Sequence, residues 1–354
     1  MNLALKSSYR SNPDSEPAKT VIPLFIAGIG AVGSTLIKQI RELEHHKFEI
    51  RIIGYCNSTN TFWPQNSIVE NHAEATNWDQ ISEKLICSSY QDLVFVDATG
   101  SREAALCYEI LLANGIRIVT PSKIANTLDQ SYFNSLVQLA DQNHTKYQYE
   151  TTVGAGLPVI STLNNLINSG DKVVKVSGVL SGTMTYLFNK IEQGASFSDA
   201  ILQARELGYS EPDPRDDLSG TDVARKFLIM ARTCGYSFEM SDIIIDTLVP
   251  EKLINHSLHD FIHEIAEYDG HWKSRNAQAL VNNRKLRYVG SFSDEGIRVG
   301  VEEVRQDSPL ANLQGTDNLV QIYTRRYPTY PIAIQGPGAG KEVTAAGLLG
   351  EIVG

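Results

Sequence analysis

The chain has 354 residues, enough for two domains around a large buried core. Its formal net charge is −10, which argues against a nucleic-acid partner, because phosphate backbones are bound by basic surfaces. No apolar run approaches the roughly 18 residues needed to cross a membrane, so no membrane partner is expected either.

Residues 1–20 are polar and lack the apolar core of a signal peptide, which predicts a disordered arm and a cytoplasmic protein. Cys56, Cys87, Cys107 and Cys234 form no CxxC pair and read as reduced core thiols. From Val21 to Thr151 the chain alternates apolar strand-like runs with helix-like stretches. The strands fall at Val21–Ala27, Ile50–Tyr55, Leu93–Ala98, Arg117–Thr120 and Tyr147–Thr151, the helices at Ala31–Leu43, Arg102–Asn114 and Gln130–Asn143. Such alternation predicts an α/β, Rossmann-type doubly wound parallel sheet over residues 21–152. Residues 153–335 read as an α+β domain: a helix at Pro158–Asn168, a strand at Val173–Leu180, then short alternating strands after about residue 285. The tail, residues 336–354, is a glycine turn and a helix expected to return to the first domain.

Gly28-Ile29-Gly30-Ala31-Val32-Gly33 follows the first strand and opens a helix, the GxGxxG arrangement of a dinucleotide site. Gly28 permits the tight turn, Gly30 admits the pyrophosphate, and Gly33 lets helix and strand approach. The pyrophosphate would then meet the N–H groups of the helix N-terminus. The acid that usually binds the adenosine ribose is missing after the second strand, where Asn57 stands. That makes a 2′-phosphate tolerable and favours NADP, with NAD still open because no basic residue follows to clamp the phosphate. Thr99, Ser101 and Lys123 follow later strands and are candidates for the nicotinamide end, although Ser101 equally suits a helix cap.

The segment Gly208-Tyr-Ser-Glu211-Pro-Asp213-Pro-Arg-Asp216-Asp217 holds two prolines and a glycine, which places its four acids on a loop. A helix then starts at Asp222, so Asp222 and Lys226 share a face at i,i+4. An isolated pair of this kind is usually a surface salt bridge worth tenths of a kcal/mol. Beside an acidic loop that can hold an ammonium group, the same pair suits proton transfer on a hydroxyl undergoing hydride loss.

Four segments carry a resemblance: TVGAGLPVI (Thr152–Ile160), VLSGTMTYLFNKI (Val179–Ile191), GYSEPDPRDDLSGTDVARK (Gly208–Lys226) and GPGAGKEVTAAG (Gly336–Gly347). Through them the chain resembles the homoserine dehydrogenase family, particularly the dehydrogenase half of the fused aspartokinase–homoserine dehydrogenases. The resemblance implies interconversion of L-homoserine and L-aspartate 4-semialdehyde, in threonine and methionine biosynthesis. It implies Lys226 as the proton shuttle and Lys123 as a second lysine near the reacting oxygen or the substrate carboxylate. Glu211, Asp217 and Asp222 would hold the substrate ammonium, with Gly208 and the Gly338–Gly340 turn bordering substrate and nicotinamide. It further implies a homodimer through the second sheet and a structural monovalent cation, typically sodium. That cation would be held by the Glu150 side chain and the carbonyls of Val153, Ala155 and Leu157. Ser122 and Pro337 depart from the family pattern, and no kinase-like or regulatory segment is read in these residues. Feedback by threonine through a built-in domain is therefore not expected. His256, His259 and His263 fall on one helical face and read as ordinary surface rather than a metal site.

Overall fold

A computed structural model of the chain describes residues 19–44, 47–63 and 73–354. The arm expected over residues 1–20 lies, but for Lys19 and Thr20, outside the described residues.

The chain begins with β1 (Thr20–Ala27), α1 (Ala31–Glu42), β2 (Phe48–Cys56), β3 (Asn60–Phe62), β4 (Ala73–Ala75) and α2 (Trp78–Ile86). It continues through β5 (Val94–Asp97), α3 (Arg102–Leu106), α4 (Tyr108–Ala113), β6 (Arg117–Val119), α5 (Ile124–Thr127), α6 (Gln130–Gln142) and β7 (Tyr147–Gln148). These strands form one sheet in the order β4-β3-β2-β1-β5-β6-β7. The five from β2 to β7 pair in parallel, while β3 and β4 add an antiparallel edge that sequence reasoning did not foresee. Burial on both faces explains why β1 is apolar from Ile22 to its end. Phe25 and Ala27 join one core cluster, and Ile22, Leu24 and Ile26 join the cluster on the opposite face.

Three expectations are corrected here. The helix over Arg102–Asn114 breaks at Cys107 into α3 and α4. The last strand ends at Gln148, and Glu150–Thr152 winds into a 3₁₀ turn. All four cysteines are free; Cys56 and Cys107 are buried, but Cys87 is exposed and so is not the core thiol expected.

Downstream come α7 (Val159–Asn168), β8 (Val173–Val179), α8 (Gly182–Glu192), α9 (Phe197–Glu206), α10 (Pro214–Leu218) and α11 (Thr221–Thr233). Then follow β9 (Ile244–Ile245), α12 (Leu258–Glu264), α13 (Asp269–Val281), β10 (Arg284–Ser293), β11 (Gly296–Arg305), β12 (Asp317–Thr324), β13 (Ile332–Pro337) and α14 (Lys341–Val353). The second sheet runs β13-β12-β8-β10-β11-β9 and is antiparallel except where β9 meets β11. Leu286, Tyr288 and Phe292 of β10 share a large core cluster with Val223, Phe227 and Met230 of α11. Helix α11 is thereby seated on the sheet. From the far end of the chain, Ala345, Leu348 and Ile352 of α14 complete the first sheet's cluster with Leu24, Leu36 and Val96. The tail thus packs on the first sheet. Among the described residues no helix is long and apolar enough to cross a membrane.

The strand ends of the first sheet are tied together by Asp97, a fully buried carboxylate closing β5. One of its oxygens accepts from the Thr99 backbone N–H at 2.7 Å and the Thr99 hydroxyl at 2.6 Å. The other accepts from the Tyr108 hydroxyl. The Thr120 hydroxyl donates to the Asp97 carbonyl at 2.8 Å and in turn accepts from the Ser122 N–H at 2.9 Å. One residue therefore fixes the loops that follow both β5 and β6.

Two predictions follow from this packing. A methyl at Gly33 would overlap the Gly28 carbonyl, whereas nothing lies within reach at Gly30. Gly33→Ala should therefore cost about 1–3 kcal/mol in a denaturant melt. Gly30→Ala should stay within about 0.5 kcal/mol of the parent, and equal losses in the two variants would contradict the packing. Burial raises the Asp97 pKa despite the hydrogen bonds that Thr99 and Tyr108 donate to it. A carboxyl raised in the fold contributes fully below its unfolded pKa, and that contribution is lost as pH climbs through the folded value. Tyr108→Phe removes a donor and raises the folded value further. Its deficit, about 1–3 kcal/mol once Asp97 is ionised, should shrink as pH is lowered, and a pH-independent deficit would refute this account.

Candidate active site

The cofactor candidates converge at the carboxyl ends of the parallel strands. Gly28 turns at φ +91°, and its N–H donates to the Cys56 carbonyl at 2.9 Å, binding the turn to β2. A Cβ there would strike the Ala98 carbonyl, so the turn also abuts the loop carrying Thr99. Ile29, Gly30 and Ala31 continue into α1, whose first turn has no capping side chain and no acid. Its free N–H groups and helix dipole suit an anion. Asn57 stands where β2 ends, but its side-chain oxygen is engaged in its own turn. It accepts from the Thr59 N–H at 2.9 Å, the Thr59 hydroxyl at 3.0 Å and the Asn60 N–H at 2.7 Å. Ser101 caps α3 by accepting from the Ala104 N–H at 3.1 Å, which is the plainer of its two readings.

A cavity of about 810 Å³ opens between the two sheets. Val32, Lys123, Glu211, Asp217, Asp222, Lys226, Gly338 and Gly340 all border it. At its centre Asp222 joins two lysines: Lys123 Nζ stands 3.2 Å from Oδ1 and Lys226 Nζ 2.9 Å from Oδ2. Lys226 also donates to the Leu180 carbonyl at 2.7 Å and is only 8% exposed. Lys123 arrives from the loop after β6 and Asp222 and Lys226 from α11, so the trio spans both sheets. Burial alone would raise the Asp222 pKa, but Lys226 and then Lys123 hold its carboxyl well below the usual range. Desolvation pulls the Lys123 pKa down, with Asp222 working against it.

The acidic segment corrects an expectation. Asp216 and Asp217 lie on α10, not on a loop, because Pro214 occupies the helix start and Asp213 caps it through the Arg215 N–H at 3.0 Å. Burial raises the Asp217 pKa even though the residue accepts from the Glu211 N–H at 2.8 Å and the Thr183 hydroxyl at 3.1 Å. Gly220 then turns at φ +73° into α11, and a Cβ there would overlap the Tyr288 hydroxyl. Gly208 is different: it ends α9 at φ +71° in open space and is not among the residues bordering the cavity. Thr183 was missed, though it lies within a quoted motif; its hydroxyl also donates to the Tyr209 carbonyl at 2.6 Å. Asn318 was missed too. It is 1% exposed, and its side chain backs the Gly338 turn so closely that a Cβ there would not fit.

The expected cation ligands lie on the segment that leads from the first sheet to α7. Both Glu150 oxygens accept backbone N–H groups, from Ile160 at 2.6 Å and Ser161 at 2.8 Å, at the start of α7. Gly154 and Ala155 both take positive φ, which curls the chain between Val153 and Leu157. One carboxylate with three carbonyls is an all-oxygen set of the kind hard cations take. Beside it a second cavity of about 640 Å³ is bordered by residues of this turn and of α14 and contains none of the three residues of the lysine–aspartate trio. His259 and His263 lie on α12, but His256 precedes it, so the three do not share one helical face; among the described residues no group of three metal-binding side chains is found.

Comparison with known proteins bears on this geometry. The homoserine dehydrogenase family model matches residues 158–353, and that of the homoserine dehydrogenase NAD-binding domain matches residues 28–150. Homoserine dehydrogenase of Emericella nidulans is 34% identical over 94% of this chain and 97% of its own length. The bifunctional aspartokinase/homoserine dehydrogenase of Haemophilus influenzae is 37% identical over 95% of this chain and 43% of its own. The chain therefore spans about four-tenths of the length of the bifunctional relatives it matches. The crystal structure of a Candida auris protein of unknown function superposes with a TM-score of 0.89 at 35% identity, covering 94% of this chain and 97% of that one. A hyperthermophilic archaeal homoserine dehydrogenase in complex with NADPH shares the fold, with a TM-score of 0.74 at 23% identity and coverage of 94% and 97%. The chain belongs to the homoserine dehydrogenase family of NAD(P)-dependent oxidoreductases.

Proposed function

We propose that the chain interconverts L-homoserine and L-aspartate 4-semialdehyde, with NADP as its cofactor. The observation that carries this reading is Asp222 held between Lys123 and Lys226 inside the cavity bordered by the Gly338–Gly340 turn and by Val32 of α1. The bound dinucleotide supplies the hydride acceptor or donor. Gly28, Ile29, Gly30, Ala31, Val32 and Gly33 would hold its pyrophosphate, Asn57 would lie toward its ribose, and Thr99, Ser101, Gly338 and Gly340 would border its reacting end. The neutral Asn57 spares a 2′-phosphate the repulsion of a carboxylate, and the archaeal relative holds NADPH.

The remaining work falls to this chain's own side chains. Glu211 and Asp217 place negative charge where the substrate ammonium would enter. Lys226 takes the hydroxyl proton during oxidation and returns it to the carbonyl oxygen during reduction. Lys123 offers the second positive charge, to the developing oxyanion or the substrate carboxylate, and Asp222 orients both lysines. A monovalent cation, sodium by charge and ligand type, would be held by Glu150, Val153, Ala155 and Leu157 and would stiffen the junction between the sheets. We further propose a cytoplasmic homodimer paired through the second sheet.

Purified protein mixed with L-homoserine and either NADP or NAD should develop the reduced-nicotinamide absorbance band, faster with NADP. No band with either, despite NADP binding, would redirect the assignment to a different hydroxy amino acid. Lys226→Ala should keep its fold and bind NADP while turnover falls by at least about a hundredfold. Near-normal turnover in that variant would remove Lys226 from its role.

A further inference from the structure

Beyond the lysine–aspartate trio, α11 carries a second charged residue that reaches the first sheet. Arg232 lies about 15 Å further along the helix than Asp222, and it is only 3% exposed. All five of its guanidinium N–H donors find acceptors. Nε donates to the Phe238 carbonyl at 3.1 Å, and one terminal nitrogen donates to the same carbonyl at 2.9 Å and to Glu239 at 2.8 Å. The other terminal nitrogen crosses to the first sheet's unit, donating to the carbonyls of Asn126 at 2.9 Å and Leu128 at 2.6 Å. Glu239 makes the same crossing, since its second oxygen accepts from the Gln130 N–H at 2.8 Å. Those carbonyls belong to the carboxyl end of α5, where a cation is favoured by the helix dipole.

Lys123 sits immediately before α5. The short helix is thus gripped at both ends by α11: its start through Lys123 and Asp222, its end through Arg232. The Tyr149 hydroxyl meets Thr233 at 3.1 Å beside the same contact, so the seam continues past Arg232. A trio assembled from two units has the right spacing only if the units hold a fixed offset. We propose that Arg232, supported by Glu239, is a positioning residue that sets the register of Lys123 against Asp222 and Lys226. This rests on the reading of that trio as the reacting centre.

The test compares Arg232→Lys with Glu239→Gln. A lysine keeps the charge but has no planar fork, so it cannot serve carbonyls on both units at once. With the wild type active, Arg232→Lys should bind NADP with unchanged affinity while kcat for homoserine falls about 10–100-fold, the scale of a misplaced catalytic group. Its pH–rate profile should shift, because the Lys123–Asp222 contact is loosened. Glu239→Gln keeps the carbonyl contacts and should show a smaller loss with the same shift. Loss of NADP binding together with kcat, or an unchanged kcat and pH profile, would overturn the proposal. If Arg232→Lys does not fold, Glu239→Gln alone decides: wild-type kcat and profile in that variant would sink the idea. A crystal structure of Arg232→Lys gives a readout independent of turnover. Lys123 and Asp222 separated there supports the register role even if homoserine proves not to be the substrate, and an intact contact refutes it.

Discussion

One carboxylate shared by two ammonium groups holds the candidate centre together. Asp222 meets Lys226 from its own helix and Lys123 from the loop after β6, so a single negative charge couples two separate sheets. Two lysines converging without that charge would repel each other. With it both stand within about 3 Å of the same carboxylate. The requirement passes outward to every element that sets the distance. Gly220 must turn tightly beneath Tyr288 to start α11, and Asp97 must hold the β5 and β6 loops in step so that Lys123 arrives where it does.

Much of this was legible because it depends on local period and on glycine geometry. The strand–GxGxxG–helix unit at Gly28–Gly33 and the i,i+4 pair Asp222–Lys226 are short-range patterns, and both stand where they were expected. The partnership of Lys123 with Asp222 could not be read from spacing. It is made by the docking of α5 on α11; the strand-end rule placed Lys123 at the nicotinamide end, and only the family resemblance put it beside the reacting oxygen. Asp97 was passed over because a lone acid ending an apolar strand looks like an ordinary exit to solvent, whereas in the fold it is fully buried and hydrogen-bonded.

The misread segments share a physical cause. Two prolines around Asp213 suggested an open loop, yet proline at a helix start costs no hydrogen bond, and the preceding aspartate supplies the cap that lets α10 form. The edge strands β3 and β4 are three residues each, too short for an alternation to register. Thr183 acts through a neighbouring backbone carbonyl and a carboxylate distant in sequence, neither of which a linear pattern reveals.

The return of α14 has a consequence for how the protein is born. The apolar face of β1 is finished by Ala345, Leu348 and Ile352, more than 300 residues further along the chain. Until they emerge from the ribosome, the nascent first unit presents Leu24 and Val96 without their native cover, however long it has been outside the exit tunnel. Its folding is therefore completed only once α14 has been made and has docked, and segments far apart in the sequence must meet before the cleft has a wall.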